Sequence, residues 1–307
     1  MLTAYFFIEA FRAELLAELN SKSEEILFQT EGFLAVRARA IDSVWAQQTL
    51  TNAGLIDFQS IGEAVKKLQA LHKGPWMGAS VSHHRRASLI AEKLRCRPQQ
   101  PISFLDPKAL KPKSVFCLLE QNRLLASTQA FPNFPQGVIH FEETKAAPSR
   151  AYLKLWELFT IHGFHPSGKD VCLDLGSSPG GWTWVLSQLG CRVLSVDKAP
   201  LAPELLRNRK VTSIKRDAFN LDPRQIVEEY GPVDWLFSDI ICEPQRLLEL
   251  VEKWRARSAI PNYVCTVKFK GSSDLKTLAQ LLKLPNSRAH HLFHNKHEVT
   301  WVLRGSS

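Results

Sequence analysis

DLGSSPGGW, at Asp174–Trp182, is the stretch of this 307-residue chain that decides its fold. It follows the apolar run Val171–Leu175, which predicts a buried strand, and it opens a pattern that predicts a helix from about Gly181 to Leu189. Its glycines allow the backbone to turn tightly and to approach a ligand without a Cβ clash. The stretch contains neither the dinucleotide fingerprint G-x-G-x-x-G nor the Gly-Lys-Ser/Thr of a P-loop. It therefore predicts a binding loop for a ligand that is not held by its phosphates.

The residues that follow this loop alternate between apolar strands and helices, which predicts a doubly wound α/β sheet. The last two predicted strands are separated by a short loop, so we expect them to form an antiparallel hairpin. The predicted elements are strands at Arg192–Val196, Val211–Lys215, Trp235–Ser238 and Tyr263–Val267, helices over Gln245–Ala256 and Asp274–Leu284, and strands at His290–Phe293 and Val299–Leu303.

The first half of the chain mixes strands and helices without this regular alternation, which predicts a smaller α+β domain. The stretch Glu142–Ala147 interrupts the pattern, so we expect one domain over residues 1–145 and the α/β domain over residues 146–307. The predicted elements of the first domain are strands at Tyr5–Glu9, Gly32–Ala38, Ser114–Leu119 and Arg123–Thr128, and helices after Ala10, within Leu55–Leu71 and up to about Lys93.

Two acidic residues follow the strands after the binding loop. Asp197 ends the next strand, where a carboxylate can accept hydrogen bonds from ribose hydroxyls, and Asp217 follows the third strand, where it could receive an adenine amino group. Taken alone, either residue could equally be a turn residue at a strand end. Together with the loop, they predict a nucleoside cofactor with a cationic sulfonium rather than a dinucleotide.

The stretch DLGSSPGGW resembles the first motif of the FtsJ-like (RrmJ-type) RNA 2′-O-ribose methyltransferases, in which a Pro-Gly-Gly-Trp element is typical. The resemblance covers roughly Pro148 to Leu303 and implies a Rossmann-like methyltransferase domain that uses S-adenosyl-L-methionine. The residues it implies in cofactor binding are Asp174, Gly176, Ser177, Ser178, Pro179, Gly180, Gly181, Trp182, Asp197, Asp217 and Asp239.

The same resemblance implies a catalytic Lys-Asp-Lys-Glu tetrad. Lys154 lies in PSRAYLKL, which is similar to the family's S-R-x-x-x-K-L entry, and Asp239 closes DWLFSD. Lys268 closes YVCTVK, and Glu298 lies in KHEV at the start of the last strand. Each of the four alone is more simply a solvated or strand-end residue, but their order beside the binding loop favours the catalytic interpretation.

These residue types suit the methylation of a ribose hydroxyl, which must lose its proton as it attacks. An ordinary lysine, with a pKa of about 10.4, is protonated at neutral pH, and a second ammonium with partial desolvation would lower that pKa. We therefore expect Lys268 to be the base and Lys154 to lower its pKa or orient the hydroxyl. Asp239 and Glu298 would position the lysines. Carboxylates alone would raise a lysine pKa, so whether the pKa of the base is raised or lowered depends on the geometry of the four residues.

The N-terminal half narrows the resemblance to the RlmM type of large-subunit rRNA cytidine 2′-O-methyltransferases, supported by DIICEP after Ser238 and by HNKHEVTW at His294–Trp301. That type implies an N-terminal RNA-binding region, which we expect to be THUMP-like in its second half. Trp76 and Phe131 could stack on bases but are more simply core or turn residues, and His83 and His84 are more simply surface residues. The candidate RNA contacts are Arg85, Arg86, Arg95, Arg97, Lys108, Lys111 and Lys113.

Composition and cysteine spacing restrict the classes of protein to which this chain could belong. Lysine and arginine exceed the acidic residues by 39 to 30, a surplus that attracts polyanions but does not by itself establish RNA as the partner. The apolar runs are too short to span a membrane. The six cysteines show no C-x-x-C or zinc-finger spacing, which predicts a reduced cytoplasmic protein without a metal site. An inactive RNA-binding relative, an mRNA-cap-type enzyme and a methyltransferase for small molecules or proteins remain alternatives.

Overall fold

The chain folds into two units, Met1–Glu142 and Glu143–Ser307. The structure is a computed structural model that describes residues 1–20, 25–106 and 113–305. Within those ranges, none of the helices combines the length and the hydropathy that a membrane crossing requires. The six cysteines are free, and Cys117, Cys172 and Cys265 are buried in strands.

Unit 1 contains two sheets of mainly antiparallel strands, in the orders β2-β3-β1-β4-β9 and β5-β8-β7-β6. Its strands are β1 (Thr3–Phe7), β2 (Glu25–Thr30), β3 (Phe33–Arg37), β4 (Ala46–Thr51), β5 (Gly54–Asp57), β6 (Trp76–Ala79), β7 (Ser114–Glu120), β8 (Arg123–Ser127) and β9 (Gln129–Phe131). Its helices are α1 (Arg12–Asn20), α2 (Ile61–Leu71) and α3 (His84–Lys93).

The α+β character of unit 1 follows from amphipathic helices that cover a sheet. Helix α2 buries Ala64 and Leu68 against the apolar face of β7 and β8, and α3 buries Ile90 against the same cluster. Ser60 caps α2, because its hydroxyl accepts a hydrogen bond from the Glu63 amide at 3.2 Å. The Trp76 side chain is also in this cluster, only 5% exposed, so it is a core residue rather than a platform for a base.

Unit 2 is built on a seven-stranded sheet in the order β12-β11-β10-β13-β14-β16-β15. Its strands are β10 (Val171–Leu175), β11 (Arg192–Asp197), β12 (Val211–Lys215), β13 (Trp235–Ser238), β14 (Asn262–Lys268), β15 (Ser287–His290) and β16 (Glu298–Leu303). Its helices are α4 (Tyr152–His162), α5 (Gly181–Gln188), α6 (Pro203–Leu206), α7 (Pro223–Tyr230), α8 (Pro244–Arg257) and α9 (Leu275–Leu282).

The strands of this sheet reverse their order at β10. Strands β10 to β14 run parallel to one another, and β16 runs antiparallel to both β14 and β15. In such a sheet, ligands bind at the carboxyl ends of the strands, at the point where the order reverses. The antiparallel β16 begins at this same edge, since Glu298 pairs with Lys268 at the end of β14. The predicted doubly wound sheet with a C-terminal hairpin is confirmed.

Several elements of unit 2 differ from the sequence-based expectation. The strand predicted at His290–Phe293 is wrong: the strand is Ser287–His290, and the following residues turn because their amides bind side chains. The Leu292 amide donates to Asn295 Oδ1 at 2.8 Å and the Phe293 amide to Glu157 Oε1 at 2.7 Å. Helices α6 and α7 were not predicted, although each begins with a proline, which is favoured at the first helical position.

Candidate active site

The DLGSSPGGW loop connects β10 to α5 with two glycines in the left-handed region, Gly176 at φ +73° and Gly180 at φ +116°. A Cβ at Gly176 would overlap the Ile240 side chain, and a Cβ at Gly180 would overlap that of Leu205. Both positions therefore require glycine for two independent reasons, the backbone angle and the close packing of the loop.

Asp197, at the end of β11, holds the middle of this loop. Its Oδ2 accepts a hydrogen bond from the Ser178 amide and its Oδ1 from the Ala199 amide, both at 2.9 Å. The Gly176 amide donates to the Val196 carbonyl at 2.8 Å, which ties the start of the loop to the same strand. Each carboxylate oxygen can accept a second hydrogen bond, so these contacts leave capacity for ribose hydroxyls.

Asp174 is the buried carboxyl group beneath the loop, with 1% of its surface exposed. Its Oδ2 accepts a hydrogen bond from the Thr183 hydroxyl at 2.7 Å. Burial raises the pKa of Asp174 to about 7, and the nearby charges of Asp239 and Asp197 act in the same direction. A cation bound beside it would favour the ionised form.

A cavity of about 510 Å³ lies over the loop at the carboxyl ends of the strands. Ser177 contributes a buried hydroxyl that has no hydrogen-bond partner within the described ranges. Gly180 does not line this cavity and serves instead at the start of α5. The predicted cofactor residues that do line it are Asp174, Gly176, Ser177, Ser178, Pro179, Gly181, Trp182, Asp197, Asp217 and Asp239.

Residues that the sequence did not single out, Phe219 and Arg246 among them, also line this cavity beside Asp217. Asp217 Oδ1 accepts a hydrogen bond from the Phe219 amide at 3.0 Å, and this bond, with the nearby Lys198 ammonium, lowers the pKa of Asp217. The Phe219 ring lies 3.7 Å from the Arg246 guanidinium carbon. Phe219 follows Asp217 by two residues, and Ile240 follows Asp239 directly. Their closeness in sequence to predicted site residues was the signal that could have identified them as residues that line the cavity.

The four tetrad candidates converge beside this cavity. Lys154, on α4, donates to Asp239 Oδ1 at 3.0 Å and Oδ2 at 3.1 Å, and its Nζ lies 2.7 Å from Glu298 Oε1. Lys268 Nζ lies 2.9 Å from Asp239 Oδ1 and donates to the Asp239 carbonyl at 2.7 Å. Asp239 thus contacts both lysines, and the structure brings together all four residues.

The two lysines differ in their surroundings. Burial alone would lower the pKa of Lys154, but the charges of Asp239 and Glu298 outweigh it and raise that pKa above its ordinary value. Lys154 is therefore held as an ammonium between two carboxylates. Among the described ion pairs Lys268 contacts one carboxylate, that of Asp239, and its side chain is 19% exposed against 12% for Lys154. Lys268 is therefore the more exposed of the two lysines.

A second cavity, of about 1070 Å³, lies on the other side of the tetrad. Lys268 and Ile241 line both cavities, and Ile241 is 90% exposed. The basic residues of the second cavity outnumber its acidic ones by five to two. The basic residues are Arg150, Lys154, Lys268, Lys270 and Lys296, and the acidic ones are Glu243 and Glu298.

The candidate RNA contacts of unit 1 that the structure describes differ in their exposure. Arg85, Arg95 and Arg97 are exposed, and Lys113 is half-buried. Arg86 donates to Asn122 Oδ1 at 3.0 Å and its guanidinium lies over the Phe58 ring, so it helps to pack α3. Phe131 is 46% exposed, and His83 and His84 lie at the surface. The remaining two candidates, Lys108 and Lys111, lie outside the described residues.

Residues 147–284 match the family model described as FtsJ-like methyltransferase. Unit 2 has the FtsJ-like methyltransferase fold. Glu298 lies beyond the matched residues, so its place in the tetrad rests on the geometry given above.

Curated proteins that are similar to this chain carry the name Ribosomal RNA large subunit methyltransferase M. The protein from Halorhodospira halophila is 34% identical over 56% of this chain and 51% of its own length, and that from Cellvibrio japonicus is 34% identical over 56% and 52%. The protein from Pseudomonas fluorescens is 29% identical over 85% of this chain and 70% of its own. In the first two alignments the chain spans about half the length of the relative.

Proposed function

We propose that this protein is an S-adenosyl-L-methionine-dependent RNA 2′-O-ribose methyltransferase that acts on large-subunit rRNA, with cytidine as the target nucleotide. The observation that carries the proposal is the contact of Lys154, Asp239, Lys268 and Glu298 between a glycine-loop cavity and a basic cavity. The names of the relatives support rRNA as the substrate. An rRNA substrate would place the protein in the cytoplasm.

The first cavity fits S-adenosyl-L-methionine. Four carboxyl groups line it, those of Asp174, Asp197, Asp217 and Asp239, which suits a ligand with a sulfonium and an ammonium. The hydroxyl of Ser177 is buried there without a partner in the part of the chain that the structure describes, so a polar ligand atom would satisfy it. Asp197 would hold the ribose and Asp217 the adenine, and the cofactor would supply the transferable methyl group on its sulfonium.

The second cavity fits the acceptor nucleotide, because its excess of basic residues complements phosphate. Lys268 lies where the two cavities meet, so it can take the proton of a 2′-hydroxyl as that oxygen attacks the methyl group. Lys154 stays charged between its two carboxylates and would orient the hydroxyl. Alignment of the hydroxyl with the methyl group would supply much of the rate.

Unit 1 supplies exposed cations that could extend the RNA contact. Arg85, Arg95 and Arg97 follow one another along and after α3. We propose that they bind RNA phosphates without reading sequence, since lysine and arginine contacts to phosphates position a nucleic acid rather than identify its bases. The methyltransferase domain would then carry the choice of the reacting ribose.

The decisive experiment is methyl transfer from radiolabelled S-adenosyl-L-methionine to unmethylated large-subunit rRNA, followed by mapping of the label. We expect one labelled ribose 2′-oxygen. Substitution Lys268→Ala should lower the rate constant by about 10²- to 10⁴-fold, the range for a general base, without changing cofactor affinity more than a few-fold. The substitution Lys169→Ala is a matched control, since Lys169 is an exposed lysine of the same unit that lines neither of these two cavities.

Two outcomes would overturn the proposal. Absence of transfer by the wild-type protein to any rRNA, with intact cofactor binding, would contradict RNA methylation. Label on a base nitrogen or carbon would contradict the ribose as the acceptor. An unchanged rate in Lys268→Ala would leave the reaction in place and remove Lys268 as the base.

A further inference from the structure

A solvent-exposed isoleucine lies where the two cavities meet. Ile241 is 90% exposed, the highest value among the large apolar side chains that the structure describes, and it lines both cavities. Ala151 and Lys268 are the other described residues that line both. Ala151 brings a single methyl group and Lys268 an amine, so Ile241 is the bulkiest apolar side chain at this junction.

The loop that carries Ile241 is held on both sides of it. The Asp239 carbonyl accepts a hydrogen bond from Lys268 Nζ at 2.7 Å. Ile240 is 9% exposed and packs so closely against Gly176 that a Cβ there would overlap it. Helix α8 begins three residues after Ile241. The backbone is therefore fixed, with one isoleucine packed in the fold and the next one open to solvent.

The position of Ile241 distinguishes it from other exposed apolar residues. Single apolar side chains are common on protein surfaces, so exposure alone assigns no role. Leu206 and Leu275 are the other large apolar residues exposed in the described part of unit 2, at 52% and 40%, and neither lines one of these two cavities. Ile241 borders both cavities, so ligands that fill them would cover its side chain.

The group that occupies this junction follows from the proposed function of the same site, on which this inference rests. The methyl group must pass from the first cavity to an oxygen in the second, beside Lys268, so the acceptor ribose lies where the cavities meet. The excess of basic residues in the second cavity suits an RNA chain. The cofactor already has an apolar neighbour in Ile240, which lines the first cavity alone.

We propose that Ile241 packs against the ribose of the acceptor nucleotide and holds its 2′-hydroxyl at the junction. The contact removes the isoleucine side chain and the ribose carbons from water, which favours the complex. Because the loop is fixed on both sides of Ile241, little conformational freedom is lost on binding. Ile241 is then a substrate-binding residue that contributes an apolar contact among the charged groups of the tetrad and the second cavity.

The test measures the Kd for unmodified large-subunit rRNA, transcribed in vitro, by filter binding with S-adenosylhomocysteine present. Ile241→Ala removes three carbon atoms, and the loss of about two of them from the buried contact should raise this Kd roughly tenfold. The slope of log Kd against log salt should stay the same, whereas loss of one phosphate contact would lower it by about 0.7. Ile241→Leu keeps the number of carbons and should stay within about threefold of the wild type.

The same contact should appear in the kinetics of methyl transfer as a higher KM for RNA, with kcat changed by less than about threefold. A structural role would lower the unfolding midpoint, but the midpoint of Ile241→Ala should stay within about 2 °C of the wild type, since the side chain is open to solvent. The matched control is Leu206→Ala, an exposed apolar residue of the same unit that lines neither of these cavities. It should leave the Kd and the KM for RNA unchanged.

Three results would overturn the inference. The first is an equal Kd for rRNA in Ile241→Ala and the wild type. The second is a loss of RNA affinity with a changed salt slope, which would mean that the variant disturbs phosphate contacts. The third is a tenfold weaker binding of S-adenosyl-L-methionine, measured by calorimetry without RNA, which would assign the contact of Ile241 to the cofactor.

Failure of this inference can be told apart from failure of the proposed function, because RNA binding with S-adenosylhomocysteine needs no methyl transfer. If the wild-type protein binds rRNA but transfers no methyl group, the proposed reaction is wrong, and the Kd of Ile241→Ala still decides the apolar contact. If the wild type transfers the methyl group and Ile241→Ala has the same Kd and KM, the inference alone is wrong. A wild-type protein that binds no rRNA would contradict both.

Discussion

At the scale of single residues, Lys154 is the most strongly determined group of the tetrad, because it holds two carboxylates at once. In Lys154→Ala, Asp239 keeps Lys268 as a partner, whereas the donor left to the Glu298 carboxylate among the described side chains is the Asn295 amide group, at 3.3 Å. We expect the free energy of unfolding to fall by about 3 kcal/mol, the low end for a broken buried ion pair. Adding Glu298→Gln should recover about half of that loss, because the unpaired charge is removed. Urea denaturation measures both changes, and a double variant no more stable than the single one would contradict this assignment of the loss.

Asp174 predicts a pH dependence of stability with a definite sign. Its pKa is about 7 in the folded protein and about 3.9 in an unfolded chain, so between these values the folded state holds a proton that unfolding releases. Stability from this group is complete below about pH 4 and is lost as the pH rises towards 7. The slope of the unfolding free energy should therefore be more negative for the wild type than for Asp174→Asn, by at most about 1.4 kcal/mol per pH unit.

The comparison with Asp174→Asn isolates this one group, since all other titrating residues are shared. The asparagine keeps an oxygen that can accept from the Thr183 hydroxyl. Parallel stability curves for the two proteins from pH 4 to pH 7 would show that Asp174 is ionised throughout. Saturation with S-adenosyl-L-methionine should reduce the difference between the curves, because its positive charges favour the carboxylate.

At the scale of secondary-structure elements, the β10–α5 loop depends on both of its left-handed glycines. Gly176→Ala should cost about 1–3 kcal/mol of stability and weaken cofactor binding at least tenfold, because the new Cβ strains the backbone and displaces Ile240, the neighbour of Asp239. Gly271→Ala is the matched control, since Gly271 has φ +81° and nothing within 4 Å of a built Cβ. That control should show backbone strain without loss of cofactor affinity. Equal cofactor affinity in Gly176→Ala and wild type would rule out the close packing as a requirement for binding.

The strands and helices of unit 2 could be predicted from the sequence wherever the spacing of the apolar residues determines the type of element. The five parallel strands lie where the apolar runs placed them, and the tetrad candidates lie at strand ends or on the helix beside them. The region after His290 could not be predicted, because HHLFH has the apolar content of a strand while its amides are taken by Asn295 and Glu157. Glu157 belongs to an apolar helix 136 residues away in sequence from Phe293, and such a long-range contact leaves no local signal. The single acidic residue within the apolar stretch LWELF was the available hint.

At the scale of the whole molecule, the chain has a net charge of +9. Whether these cations bind RNA is best tested by removing them at chosen positions. The triple variant Arg85→Ala, Arg95→Ala, Arg97→Ala removes three exposed cations from unit 1. If these residues neutralise phosphates, the slope of log Kd against log salt for single-stranded RNA should fall by about 2, at about 0.7 for each phosphate contact. Cofactor affinity should not change, because the first cavity is lined by residues of unit 2 alone.

The control for that triple variant changes the net charge by the same amount at other places in unit 1. Arg37, Lys67 and Arg123 each lie in an ion pair, with Glu25, Glu63 and Asp57 respectively. Because these cations are already neutralised locally, their replacement by alanine should reduce the salt slope by less than half as much. Equal effects of the two triple variants would mean that RNA binding depends on the total charge of unit 1. The residues around α3 would then not be a specific RNA-binding surface. A larger effect of the first variant would assign RNA binding to α3 and the residues that follow it.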